Sequence, residues 1–165
     1  MKVVLQALLL VSFWNAAAQH NPADSLPQHL KGLPLPDFKI ERPDGSAFYT
    51  ENLPNDKAVI IILFSPECEH CQQLTKELTE QAHRYKKTHF VMATTLPADK
   101  MAAFYKQYRI DQFRNITMGR DVLFFFSRYY QSHYLPMVAV YNRNRELKRV
   151  YDGTITPAQL FEHAH

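Results

Sequence analysis

The sequence predicts an α/β fold with a central mixed sheet flanked by helices. Three observations carry this. Residues 58–64 (AVIIILF) are one unbroken apolar run, the pattern of a strand covered on both faces. Helical spacings and short strand patterns then alternate along the chain, which implies parallel strands joined by crossover helices. Near the end two strand patterns, residues 136–141 and 147–151, meet across the polar turn Asn142-Arg143-Asn144-Arg145 and add an antiparallel edge.

In chain order, residues 1–18 read as a cleavable export signal rather than as part of the fold. Lys2 supplies a positive start, residues 3–14 are mostly apolar, and Ala16-Ala17-Ala18 precede a cut before Gln19. No cysteine lies near the cut, so no lipid anchor is expected. Residues 19–34, rich in Pro, Asn, Gln and Ser, read as a flexible arm. Residues 35–165 then form the folded domain. The turn Pro43-Asp44-Gly45-Ser46 between extended stretches predicts an N-terminal β-hairpin. After the 58–64 strand, Leu74, Leu78, Ala82 and Tyr85 mark one face of a helix over about 68–87. A strand at 89–94 and a helix at 98–108, carrying Met101, Tyr105 and Tyr108, come next. An extra unit follows, a short strand at 115–120 and a helix over 122–130 capped by Asp121. Phe124-Phe125-Phe126 leave helix and strand open there, and with Tyr129 and Tyr130 they read as core of that unit. Gly153 stops the last strand, and Thr156-Pro157 start the final helix.

Composition excludes several classes. Hydrophobic residues are 46% and aromatics 13%, which excludes disorder for most of the chain. Two cysteines exclude a disulfide-dense mini-protein. No apolar run approaches the roughly 20 residues of a membrane-spanning helix. A net charge of +3 without a long basic run does not point to nucleic acid.

The chemistry concentrates at Cys68-Glu69-His70-Cys71, directly behind the buried strand and at a helix start. Free N–H groups and the helix dipole there favour a thiolate at Cys68. The spacing puts both sulfurs on one side of the first turn, within bridging reach. So small a loop adds little stability, which suits redox exchange better than stapling. His70 between the sulfurs can add positive charge and favour the thiolate, and Glu69 opposes it. Access makes Cys68 the nucleophile and Cys71 the resolving thiol. A structural zinc site needs four ligands, and there is no second cysteine pair. Haem attachment needs a histidine where Gln72 stands. No cofactor is expected.

Phe64-Ser65-Pro66-Glu67-Cys68-Glu69-His70-Cys71 between strand and helix, with a late Pro136 before a ββα ending, resembles the thioredoxin fold. The Leu35-Pro36-Asp37-Phe38 opening and the extra unit before Pro136 resemble its exported TlpA/ResA-like, redoxin-related branch. The resemblance spans roughly residues 35–165. It implies a thiol–disulfide oxidoreductase of the periplasm or the exterior, acting on exported protein thiols and disulfides with a membrane or periplasmic redox partner, and working as a monomer. It also implies a cis bond before Pro136, beside the sulfurs, with Leu135 and Pro66 flanking the substrate. Several positions depart from the family pattern. Ile62 replaces the buried acid that assists the resolving thiol, leaving Glu67, Glu69 or water to serve. Lys76 replaces a helix proline, Glu67 a tryptophan, and Leu135 the usual Thr or Val.

Two rivals share the fold. A peroxiredoxin-like thiol peroxidase would use Ser65 near the cysteine, but Ile61 stands where its proline belongs. A copper-delivery module would pair both cysteines with a remote histidine, His133 first, with His163 or His165 as others.

Overall fold

The computed structural model describes residue 26 and residues 28–162. The export signal expected over residues 1–18 lies outside the described residues. The sheet is organised around β3, Ala58–Leu63, whose six residues are all buried. On one side it pairs in parallel with β4, Thr88–Thr94. On the other it pairs antiparallel with β6, Met137–Tyr141. β5, Ile116–Arg120, extends the parallel part beyond β4. β7, Leu147–Asp152, forms the expected antiparallel edge on β6. The N-terminal hairpin, β1 (Lys39–Glu41) and β2 (Ala47–Tyr49), closes the far edge, giving the order β2-β1-β5-β4-β3-β6-β7. This is the mixed sheet the sequence predicts.

Strand alternation divides the core between two faces. Ile60, Ile62 and Phe64 point to one face, covered by α1 (Glu69–Gln81), α2 (Ala98–Gln107) and α4 (Pro157–Glu162) through Leu74, Leu78, Met101, Phe104 and Leu160. Val59, Ile61 and Leu63 point to the other, covered by Phe38 and Phe48 from the hairpin and by Phe126 and Tyr130 of α3, Phe125–Tyr130. Each such side chain removed from water contributes about 1.5–3 kcal/mol, which is why an all-apolar strand settles at the sheet centre. No helix among the described residues is long and apolar enough to cross a membrane.

Local chemistry sets the element ends. In the β1–β2 turn, Gly45 takes φ +81° and the Asp44 carboxylate accepts from the Ser46 N–H at 2.9 Å and hydroxyl at 2.6 Å. Gly119 lets β1 cross β5 closely, since a Cβ there would sit 2.8 Å from the Glu41 carbonyl oxygen. His89, on β4, is 5% exposed. Its Nε2 pairs with Thr117 Oγ1 at 3.0 Å, and its Nδ1 has no partner. Burial, with Lys57, Arg145 and Arg42 nearby, pushes its pKa down to about 4.

Three expectations need correction. The arm expected over residues 19–34 is docked at Leu26, Leu30 and Leu33. Leu30 is 2% exposed, Leu26 and Leu33 pack beside it, and the Pro34 carbonyl accepts from Tyr129 (2.7 Å) and Tyr141 (3.3 Å) hydroxyls. The polar composition hid three leucines at spacings of four and three, which share one face. The first helix ends at Gln81, and a tighter turn covers residues 82–84. Asn115 reaches across to the Ala82 and Tyr85 carbonyls at 3.2 Å each, satisfying backbone that a longer helix would have paired. The helix expected over 122–130 begins only at Phe125. Phe124 occupies the N-cap position, and the Asp121 carboxylate takes over the capping by accepting from the Phe125 and Phe126 N–H groups at 2.9 Å each. Phe124, however, sits at φ +54° and interrupts the helical path.

Candidate active site

The chain leaves β3 through Phe64, whose N–H bonds the Ala93 carbonyl at 2.9 Å. It then bends at Ser65. The Ser65 hydroxyl accepts from the Glu67 N–H (3.2 Å) and its carbonyl from the Cys68 N–H (3.1 Å). The Gln72 side chain donates to the Pro66 carbonyl at 2.8 Å. These bonds fix the loop so that Cys68 becomes the N-cap of α1. Its backbone is extended (φ −89°, ψ 118°) and its Sγ accepts from the Cys71 N–H at 3.3 Å. A sulfur in that place meets a backbone donor and stands at the positive end of the helix dipole.

The two thiols differ sharply in surroundings. Cys68 is half-buried, and Cys71 is 1% exposed among Ile62, Leu74 and Val138. Burial, reinforced by the hydrogen bond with Cys68, pushes the Cys71 thiol up to about 12. Cys71 therefore stays protonated at neutral pH, and Cys68 is the accessible sulfur. The expected division into an attacking and a resolving thiol has its geometry here.

The third part of the site comes from a distant segment. The Leu135–Pro136 peptide bond is cis. It brings the Leu135 carbonyl oxygen to 3.7 Å from Cys68 Sγ, where it accepts from the thiol. Pro136 is buried, and its carbonyl accepts from the Gly153 N–H at 3.0 Å. Asp152 holds the approach to this turn: its carboxylate accepts from the Ser132 hydroxyl (2.8 Å) and from the His133 and Tyr134 N–H groups (3.0 Å each). Sequence reasoning missed Asp152. Its only signal was an acid at a strand end just before Gly153.

The other expected site residues are less involved. Glu69 and His70 are exposed, and among the described residues neither bonds to a sulfur. Glu67 pairs with Lys100 at 3.0 Å on the surface. Ile62, in the family's acid position, lies in the apolar core that surrounds Cys71. Among the described residues no three His, Cys, Asp or Glu side chains converge on a point where a metal could sit, so His133 is not brought together with the two cysteines. His163 and His165 lie outside the described residues. Ile61 is buried within β3 between Val91 and Ala139, so the proline of a peroxidatic loop has no place there.

Residues 42–122 match the family model described as Thioredoxin, a span that includes both cysteines. The chain is a thioredoxin-fold protein. Solved structures agree over more of its length. The structure of dsbF from Mycobacterium tuberculosis, in mixed oxidised and reduced forms, is 20% identical with a TM-score of 0.65, covering 84% of this chain and 96% of that one. A secreted disulfide oxidoreductase of the same organism, homologous to E. coli DsbE, is 18% identical at TM-score 0.63, covering 74% and 90%. The peroxidoxin BcpB, also from Mycobacterium tuberculosis, is 16% identical at 0.63, covering 74% and 84%. At these identities the likeness establishes the fold. No curated protein matches the chain by sequence. The thioredoxin match over the Cys68–Cys71 segment supports a thiol–disulfide oxidoreductase.

Proposed function

We propose that this thioredoxin-fold protein is exported through its first 18 residues and exchanges disulfides with exported proteins. The observation that carries the reading is the pairing of an accessible N-cap sulfur, Cys68, with a buried protonated one, Cys71, one helical turn on. In the reductive direction the Cys68 thiolate attacks one sulfur of a substrate disulfide. A mixed disulfide forms and the first substrate sulfur leaves as thiolate. Cys71 then loses its proton, attacks Cys68 Sγ, and closes the Cys68–Cys71 bond as the second substrate sulfur leaves. Two electrons pass to the substrate, and the reverse sequence oxidises a substrate dithiol. With Ile62 in place of an acid, the Cys71 proton leaves to water or to the substrate thiolate. Leu135 and Pro66 border the substrate path.

Equilibrating the purified protein in glutathione buffers tests this. A single two-electron transition at Cys68–Cys71 is expected, and Cys71→Ser is expected to accumulate a mixed disulfide at Cys68. No redox-active disulfide overturns the reading. Peroxide turnover with a thiol reductant, faster than disulfide exchange, would favour a peroxidase instead. N-terminal sequencing of the secreted product checks the cut, expected before Gln19.

A further inference from the structure

We propose that a basic pocket at the end of the sheet opposite the cysteines binds a ligand through a multiply charged phosphate group. The pocket has a volume of about 310 Å³. His83, Arg84, Lys86 and Lys87 line it from the segment that joins α1 to β4, and Arg143 lines it from the β6–β7 turn. Tyr85 and Thr88 complete the lining, and no carboxylate is part of it. The Lys87 carbonyl accepts from the Ala58 N–H at 3.0 Å, which fixes the pocket at the start of β3. The cysteines follow the other end of that strand. β3 has six residues, so its ends are about 20 Å apart and the pocket is separate from the dithiol.

These cations are not neutralised by the protein. Among the described residues none of His83, Arg84, Lys86, Lys87 and Arg143 forms an ion pair, whereas Lys100, Arg120 and Lys148 each meet a carboxylate. Glu146, the acid of the β6–β7 turn, is taken up by Lys148 and by the Asn142 amide, at 2.8 Å each. Lys57 and Arg145 add positive charge at the same end, and after burial they are the main causes of the low pKa of His89. Like charges held this close repel, and an anion seated among them relieves the repulsion.

The backbone that carries these side chains is held in place by its own hydrogen bonds. Asn115 donates to the Ala82 and Tyr85 carbonyls at 3.2 Å each and to the Thr88 carbonyl at 3.5 Å. The Tyr85 carbonyl also accepts from the Thr88 N–H at 3.0 Å. In the β6–β7 turn the Asn142 side-chain oxygen accepts from the Asn144 and Glu146 N–H groups at 3.0 Å each. A frame ordered in advance lowers the cost of binding. The lining selects the ligand. Guanidinium forks and ammonium groups both suit phosphate, which offers acceptor oxygens on several sides. A phosphate monoester carries roughly −1.5 to −2 charges at pH 7, more than a carboxylate can bring to so many cations. Small-molecule sites span roughly 300–1,000 Å³, so the occupant is one compact phosphorylated group. A free phosphorylated molecule and the headgroup of an anionic lipid share that chemistry.

Calorimetric titration of the full chain with pyrophosphate at constant ionic strength tests the pocket. Saturable binding at one site per chain is expected. Arg84→Gln combined with Arg143→Gln should weaken it at least about tenfold, the scale of one lost charge-assisted hydrogen bond. Lys31→Gln combined with Lys106→Gln removes the same charge from exposed positions outside the pocket and should leave binding intact. All four positions are exposed, so both double variants should melt as the native chain does, and lost binding then reports a lost contact. Flotation with phosphatidylcholine vesicles, with and without phosphatidic acid, separates the two sources. Retention on phosphatidic acid that pyrophosphate competes away assigns the pocket to a lipid headgroup, and pyrophosphate binding without retention assigns it to a free ligand. No saturable pyrophosphate binding, or equal loss in the two double variants, overturns the pocket and leaves the dithiol chemistry standing.

Discussion

Alkylation of the reduced protein should mark Cys68 and spare Cys71. Only thiolates react appreciably, so the rate at each sulfur follows its thiolate fraction and its access. Cys71 is pushed from 9.0 to about 12 by burial and by its bond with Cys68. Three pH units are a factor of about a thousand, or about 4 kcal/mol favouring the protonated thiol. At pH 8 an ordinary thiol of this kind is about one-tenth ionised, whereas Cys71 is ionised in about one molecule in ten thousand. Its 1% exposure lowers the rate further. Brief iodoacetamide treatment at pH 8, followed by denaturation, a second isotopic label and peptide mass spectrometry, reads each site separately. The expected result is first label on Cys68, second label on Cys71, and equal reaction of both in urea. First label on Cys71 at a comparable rate would refute the division of roles. The same shift has a stability consequence. A raised thiol pKa means the folded reduced state holds its proton longer than the unfolded chain does. That contribution is present below about pH 9 and is lost as pH rises from 9 towards 12, so the reduced protein should weaken there. Cys71→Ala should flatten that part of the profile in denaturant titrations.

Three further outcomes are expected. His89 falls to about 4 from 6.5, so the folded state binds fewer protons between those values and stability declines as pH drops through that window, by about 2 kcal/mol from pH 7 to pH 5. Denaturant midpoints for the native chain and His89→Gln over pH 4–7 should converge as pH falls, and parallel curves would refute this. Asp152→Ala should slow glutathione exchange at Cys68 and lower stability by about 1–3 kcal/mol through the loss of three acceptor contacts, with Asp152→Asn restoring part of the rate because it keeps the oxygen that serves Ser132 and Tyr134. A rate unchanged in Asp152→Ala would remove Asp152 from the positioning of Leu135. Gly119→Ala, whose Cβ would press on the Glu41 carbonyl oxygen at 2.8 Å, should cost about 1–3 kcal/mol by forcing the β1–β2 hairpin off β5, visible as a lower melting temperature.

What could be read from the sequence was local. The run at 58–64 announced a central strand because apolarity on both faces needs no partner to be recognised. The helix start at Cys68 was equally plain, because a cap position follows from the strand before it and the periodicity after it. Pro136 emerged from its place before the last two strands. The features that escaped are those made by contacts across long separations. Asp152 serves groups 18 to 20 positions earlier, and Asn115 completes backbone about 30 positions earlier. Neither leaves a local pattern. Leu26, Leu30 and Leu33 were diluted by polar neighbours, and composition outweighed their spacing. Phe124 misled for the opposite reason: three adjacent aromatics suggested core, and the positive φ that turns one of them outward is set by Asp121 rather than by Phe124 itself.

The placement of β3 bears on where this chain can be cut. The segment that carries the thioredoxin signature ends at residue 122, before β6. A fragment stopping there keeps both cysteines but leaves β3 unpaired along the side that residues 137–141 now cover. Its bare N–H and C=O groups would lie beside six of the most apolar residues in the protein, the profile of an edge that recruits other chains. The closing hairpin thus shields the middle of the sheet, because β6 covers the side of β3 that such a fragment would leave bare.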